Sequence, residues 1–432
     1  MALDLVIRNG LLVDGTGAPA RRADIGVLNG KIFSVQEQIQ EKAARVIDAS
    51  GLAVAPGFID PHTHYDAQIC WDGALTPSSW HGVTSVVMGN CGVGIAPCRP
   101  ETREFAMRDL VNVEAIPFEV LNQGITWDWE SFPQFMDAAA ARKPALNLAF
   151  LAPLTPFRHY VMGEASMERA ASVVELNEIK KLLGEAIDAG AFGFSSTLLN
   201  QHMGYAGRPL ACRNASREEL RAYCNALRER GKGAIEIAMT KQIGVMEEPE
   251  LELLDFMLTE SARPITFIAM FDRDDISEAV RTSLRKAAPM IARGARPQTS
   301  PLPLTREINM RNPFSFIRGI EEMGGSNGRG SRRRPGQGRR RRVSRPDAGR
   351  RPRQRVHHDF VQQPRRPDGG DPEQPGHAAG PRRRRRAPRH VVRLGLSELH
   401  AGHLGAGKEG AHAGSGWLCA GRESSTQSST AR

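Results

Sequence analysis

Two histidines stand one residue apart at His62 and His64, and a cysteine between asparagine and glycine follows at Cys91. They lie in one stretch, GFIDPHTHYDAQICWDGALTPSSWHGVTSVVMGNCGVG, running from Gly57 to Gly94. In extended chain, residues i and i+2 point to the same side, so both imidazoles can reach one point. Imidazole nitrogen and thiolate sulfur suit Zn²⁺, which in catalytic sites keeps a position open for water. Zn²⁺ is therefore the expected cofactor. Asp60 and Asp66 stand beside the pair. Two further accessory candidates lie downstream. His202, in the Gly-rich stretch NQHMGYAGRP, can replace a ligand, touch substrate or be a solvated loop histidine. Glu236 can bridge metals or form a structural ion pair.

Such groups must be carried by strands that end on a common face. Phe58 to Asp60 and Val83 to Met88 are short apolar runs emptying into His62-Thr63-His64 and Asn90-Cys91-Gly92. From Gly57 the pattern repeats as strand, loop, helix, with strands expected at 57–60, 84–89, 146–151, 191–195, 234–238 and 264–269. Ser172 with Glu175 and Ser216 with Glu219 form capping boxes, opening helices that stop at Gly190 and Gly231. Their interiors, such as LNEIKKLLGEAIDA, place apolar residues three and four apart, so one face packs on a sheet. Repeated βα units imply a parallel sheet. Six units and a further strand near 294–299 favour an α/β fold, a (β/α)8 TIM-like barrel incomplete at its C-terminal end. The insertion at 101–144, with Trp127-Asp128-Trp129, is too long for an ordinary βα loop and is expected to cover the site.

Before Gly57 the chain reads as a small β-sandwich layer over residues 1–55. Asn9-Gly10 and Asn29-Gly30, each between apolar flanks, predict two-residue hairpin turns. Residues 56–323 form the expected barrel. From Gly324 the composition changes, with 24 Arg, one Lys and eight acids up to Arg432. That segment carries +17 of a whole-chain charge of +10, leaving −7 on residues 1–323. It has no Ile, Met or Tyr and cannot build a core. The residues it lacks have AT-rich codons and those it accumulates have GC-rich ones, as when a GC-rich gene is read out of frame; a real basic tail is the alternative. The runs Arg339–Arg342 and Arg382–Arg386 have no interleaved aromatics, so no specific nucleic-acid partner is expected. The six cysteines show no CxxC and no regular framework, which suits reduced thiols and a cytoplasmic location. No apolar run approaches the ~18 residues of a membrane span, and no signal peptide is evident.

The segments VIRNGLLVDGTG, GFIDPHTHYD, SVVMGNCGVG and GITWDWESFPQF together resemble the amidohydrolase superfamily, within it the N-acyl-D-amino-acid deacylase (D-aminoacylase) branch. The resemblance covers about residues 3–320. It implies a zinc-bearing (β/α)8 barrel with a β-sandwich built from both chain ends. It also implies hydrolysis of the linear amide of N-acyl-D-amino acids, small-molecule substrates, to a carboxylate and a free D-amino acid. His62, His64 and Cys91 match family metal ligands, and Asp66 matches an acidic position near the metal. Three positions depart. Ala238 and Ala269 stand where the family carries histidines in THMR-like and SHLK-like strand ends. The essential Asp of a GLSDAGAH-like motif has no counterpart, since LGLSELHAGH at 394–403, with Glu398, is a superficial echo. The catalytic carboxylate is therefore unassigned. Two other readings stay open: a cyclic amidase of the dihydropyrimidinase type, for which Lys241 would be a bridging group, and a non-catalytic frameshifted product.

Overall fold

The computed structural model describes residues 2–272 and 276–300. The chain opens with five strands, β1 (Leu3–Leu12), β2 (Arg21–Leu28), β3 (Lys31–Gln36), β4 (Ala43–Asp48) and β5 (Ala53–Val54). They form one sheet ordered β3-β2-β1-β4, with β5 also beside β1. The Asn29-Gly30 pair makes the expected turn between β2 and β3, both residues at positive φ (53° and 71°).

Asn9-Gly10 corrects the sequence reading. It lies inside β1, where Asn9 takes φ 63° and the register against β2 shifts between Ile7 and Gly10. The pair makes a bulge, which uses the same left-handed backbone as a turn. Strand pairing on both sides of β1 holds the chain extended there. Asn9 N–H donates to Asp24 Oδ1 at 2.9 Å, and Asn9 Nδ2 to Asp48 Oδ1 at 2.9 Å. Among the described residues this layer is a single sheet; a second sheet completing a sandwich is not among them.

The second sheet holds β6 (Phe58–Asp60), β7 (Val83–Met88), β8 (Asn147–Pro153), β9 (Gly193–Thr197), β10 (Ala234–Ala238), β11 (Ile265–Ile268) and β12 (Ala295–Pro297). All pairs are parallel and the spatial order follows the chain. The seven strands fall at the seven expected places. Three helices fill the insertion between β7 and β8: α1 (Arg103–Glu114), α2 (Phe118–Gly124) and α3 (Phe132–Ala141). Outside the sheet run α4 (Leu154–Met162), α5 (Val173–Asp188), α6 (Arg217–Arg230), α7 (Glu248–Ser261) and α8 (Ala279–Ala292). Both capping boxes form, Ser172 receiving Glu175 N–H and Ser216 receiving Glu219 N–H. Gly231 ends α6 in the left-handed conformation.

The helix spacing buries Ile179, Leu183 and Ile187 from α5 and Tyr223 and Leu227 from α6 against the sheet. Each such side chain stabilises by roughly 1.5–3 kcal/mol. Arg158 of α4 is fully buried and forms an ion pair with Glu219, which also accepts from Tyr223 OH and Ala171 N–H. The sheet curls, because His62 past β6 and Gln298 past β12 touch at 2.9 Å. A closed eight-stranded barrel is not reached among the described residues, where the parallel sheet is a seven-stranded half-barrel. The expected segment 324–432, Glu398 included, lies outside the described residues.

Candidate metal centre

The ends of β6 and β7 are locked together before any ligand is considered. Thr63 N–H and Thr63 Oγ1 both donate to Val87 O, at 3.0 and 2.7 Å. Asn90 Nδ2 donates to Thr63 O and Val87 O. The chain then turns sharply through Asn90–Gly92, with Gly89, Cys91 and Gly92 all at positive φ (79°, 56° and 69°). Glycine is required at two of these places. A Cβ on Gly89 would meet Leu151 O at 2.1 Å, and one on Gly92 would meet Cys212 Sγ at 2.7 Å.

Three buried polar groups hold this turn. Glu236 Oε2 accepts Cys91 N–H at 2.6 Å, Ser195 Oγ accepts Gly92 N–H at 2.9 Å, and Asp66 Oδ2 accepts Gly89 N–H at 3.2 Å. The turn presents Cys91 to the histidines. Cys91 Sγ is 3.3 Å from His62 Nε2, and the two imidazole rings lie 5.2 Å apart, edge to face. One donor atom from each of His62, His64 and Cys91 fits within 4.8 Å of the others. Donors sharing one tetrahedral zinc lie about 3.5 Å apart, so the set has the span of a single ion.

Burial sets the charge state of these groups. Burial, and then the neighbouring His64, pull His62 down to about 4; burial alone takes His64 to about 4. Both rings are thus neutral at pH 7, the ligating form. Burial first, then Glu236, Glu114 and Cys212, hold the Cys91 thiol well above its ordinary value. Burial raises Glu236 to about 8. Its Oε1 is buried without a hydrogen-bond partner, 3.9 Å from His62 Nδ1. His64 Nδ1 is likewise buried and unpartnered. Orphaned polar atoms of this kind are costly unless another group meets them. The residues present therefore fit a bound divalent metal.

The accessory candidates separate. Glu236, on β10, lies beside the centre but outside the donor set, with Oε2 on Cys91 N–H and Oε1 3.9 Å from His62 Nδ1. Asp66 does not join the donor set: its carboxylate holds the Gly89 turn, and burial raises it to about 7. Asp66 stands where the chain turns after His64, and its Oδ2 is taken up by Gly89 N–H. His202 also stands outside the donor set, with Nδ1 2.9 Å from Thr197 Oγ1. Ala238 ends β10, two residues past Glu236 and so on the same face, while Ala269 follows β11. Lys241 is exposed on the loop beyond β10.

Two residues escaped sequence reasoning. Glu114, at the end of α1, puts Oε1 3.4 Å from His64 Nε2. Gln298, just past β12, puts Oε1 2.9 Å from His62 Nδ1. No local spacing marks either, although the expectation that the insertion covers the site pointed towards α1. Trp129 of the same insertion is a packing residue, buried against Phe135 with its indole N–H on Ile95 O.

The chain is similar to known proteins. The chain is 35% identical over 228 residues to a D-aminoacylase of Alcaligenes xylosoxydans xylosoxydans, covering 53% of this chain and 43% of that protein. It is 35% identical over 193 residues to an N-acyl-D-aspartate deacylase of the same organism, covering 45% and 36%. The chain thus spans about two fifths of the length of these curated relatives. Among solved structures, a D-aminoacylase superposes with a TM-score of 0.58 at 26% identity, covering 71% of this chain and 60% of that one. An N-acyl-D-glutamate deacylase from Bordetella bronchiseptica, complexed with zinc and a phosphonate inhibitor, gives 0.54 at 25% identity, covering 72% and 61%. The amidohydrolase family pattern matches residues 45–302, more than half of the chain, and the protein belongs to that family.

Proposed function

We propose that the protein is a metal-dependent hydrolase of the linear amide in N-acyl-D-amino acids, with His62, His64 and Cys91 as zinc ligands. The single observation carrying this is the convergence of two imidazoles and one thiol within 4.8 Å, where β6 and β7 end. Relatives named D-aminoacylase and N-acyl-D-aspartate deacylase support the substrate class. A zinc ion bound there supplies Lewis acidity and lowers the pKa of a bound water towards ~7. The chain's own residues hold and shape the site. His62, His64 and Cys91 hold the ion. Glu236 and Asp66 fix the turn that aims Cys91, and α1 walls the site on the His64 side.

The cyclic-amidase alternative loses support, because Lys241 is exposed. The described cysteines are free, which supports a reducing compartment and a cytoplasmic location. Among the described residues no helix is long and apolar enough to cross a membrane. The test is hydrolysis of N-acetyl-D-amino acids, N-acetyl-L-amino acids and hydantoins by zinc-loaded protein. Release of D-amino acid alone is the expected outcome. Turnover of hydantoins alone would transfer the chain to the cyclic amidases, and no turnover with any substrate would favour the non-catalytic reading.

A further inference from the structure

Each histidine of the centre has one ring nitrogen facing an outer acceptor and one without an outer partner. His62 Nδ1 lies 2.9 Å from Gln298 Oε1 and 3.9 Å from Glu236 Oε1, while its Nε2 faces Cys91 Sγ at 3.3 Å. His64 is the reverse: Nε2 lies 3.4 Å from Glu114 Oε1, and Nδ1 is buried without a partner. We propose that Gln298 and Glu114 are positioning residues that hold the two histidines in opposite tautomers, so that His62 offers Nε2 and His64 offers Nδ1 to the metal. This rests on the reading of His62, His64 and Cys91 as a metal centre.

The argument is one of proton placement. A neutral imidazole carries one N–H, and the acceptor it meets decides which nitrogen keeps it. Gln298 Oε1, which can only accept, meets His62 Nδ1 at 2.9 Å, so the proton stays there and the Nε2 lone pair points at the cluster. Turning the Gln298 amide over would place an N–H against Nδ1 and move the ring proton towards Cys91. That arrangement puts a proton where the metal would bind. A carboxylate at His64 Nε2 does the same work with the nitrogens exchanged.

The positions of both outer groups are set away from the site. α1 is held by Asp109, which accepts from Tyr205 N–H at 2.8 Å and contacts His159 Nε2 at 3.0 Å. Asn112 Nδ2 adds a bond to Gly204 O at 2.6 Å. Gln298 is anchored by its backbone N–H on Phe267 O at 2.8 Å and its carbonyl under Met270 N–H at 3.2 Å. Glu114 and Gln298 thus approach the histidines from two different segments, each pinned by its own bonds.

The test reads tautomers directly. Protein labelled with ¹⁵N-histidine, stripped of metal and held at pH 8, is examined by long-range ¹H–¹⁵N correlation, with His62→Asn and His64→Asn assigning the signals. The expected result is His62 protonated on Nδ1 and His64 on Nε2. Zinc affinity, measured against a chromophoric chelator, is expected to fall about 10- to 100-fold in Gln298→Ala and Glu114→Ala. Gln298→Glu and Glu114→Gln retain an acceptor oxygen and are expected to restore most of it. Both histidines in one tautomer, or alanine variants binding zinc as the parent does, would overturn the proposal. Failure of the parent itself to take up zinc defeats the metal-centre reading, while the tautomer spectrum still decides the positioning role.

Discussion

The carboxylate of Glu236 on β10 accepts the backbone N–H of Cys91 at 2.6 Å, across 145 residues of sequence. That bond lets Cys91 sit in a left-handed turn with its thiol aimed at His62. Glu236→Ala leaves the Cys91 N–H buried without an acceptor, which costs about 1–3 kcal/mol. Urea unfolding should show that loss. Glu236→Gln keeps an acceptor oxygen and should recover most of it.

The buried carboxyls and imidazoles make opposite demands on pH. Glu236 and Asp66 are raised to about 8 and about 7, so they bind a proton more tightly folded than unfolded. Their contribution is full below the ordinary carboxylate range and is lost as pH rises through 7 to 8. His62 and His64 are lowered to about 4, so theirs is full above the ordinary 6.5 and is lost as pH falls through 4. The two pairs offset each other near pH 5–6. Chelator-treated protein should therefore lose stability between about pH 6.5 and 8, more steeply than Glu236→Gln does. Equal slopes for parent and variant would show that Glu236 ionises normally.

Gly92 tests the turn itself. Alanine there meets Cys212 Sγ at 2.7 Å and Ser196 Cα at 3.1 Å, at a φ of 69°. Gly92→Ala should destabilise by about 1–3 kcal/mol and weaken zinc uptake more than Gly51→Ala, whose position is open. Comparable zinc affinity in the two variants would mean the turn does not govern Cys91.

How much was legible follows from distance along the chain. His62, His64 and Cys91 announce themselves through local spacing, and the seven strands through apolar runs punctuated by glycine and capping residues. Glu236 could be named but not given a role, because its partner is 145 residues away. Gln298 meets His62 across 236 residues, a closeness that only the curled sheet creates. Glu114 sits in an insertion with no repeat to interpret. Asp66 is near the ligands in sequence, yet its carboxylate turns to Gly89, a contact that spacing alone does not disclose. Asn9-Gly10 shows the same limit, since positive φ serves a bulge as well as a turn.

The most direct measurement is zinc X-ray absorption on the full chain loaded with one equivalent of metal, beside Cys91→Ser. The account predicts one zinc per chain, with one sulfur near ~2.3 Å and nitrogen or oxygen donors near ~2.0–2.1 Å, and loss of the sulfur in the variant. Zinc uptake far below one per chain, or a shell without sulfur in the parent, would contradict it.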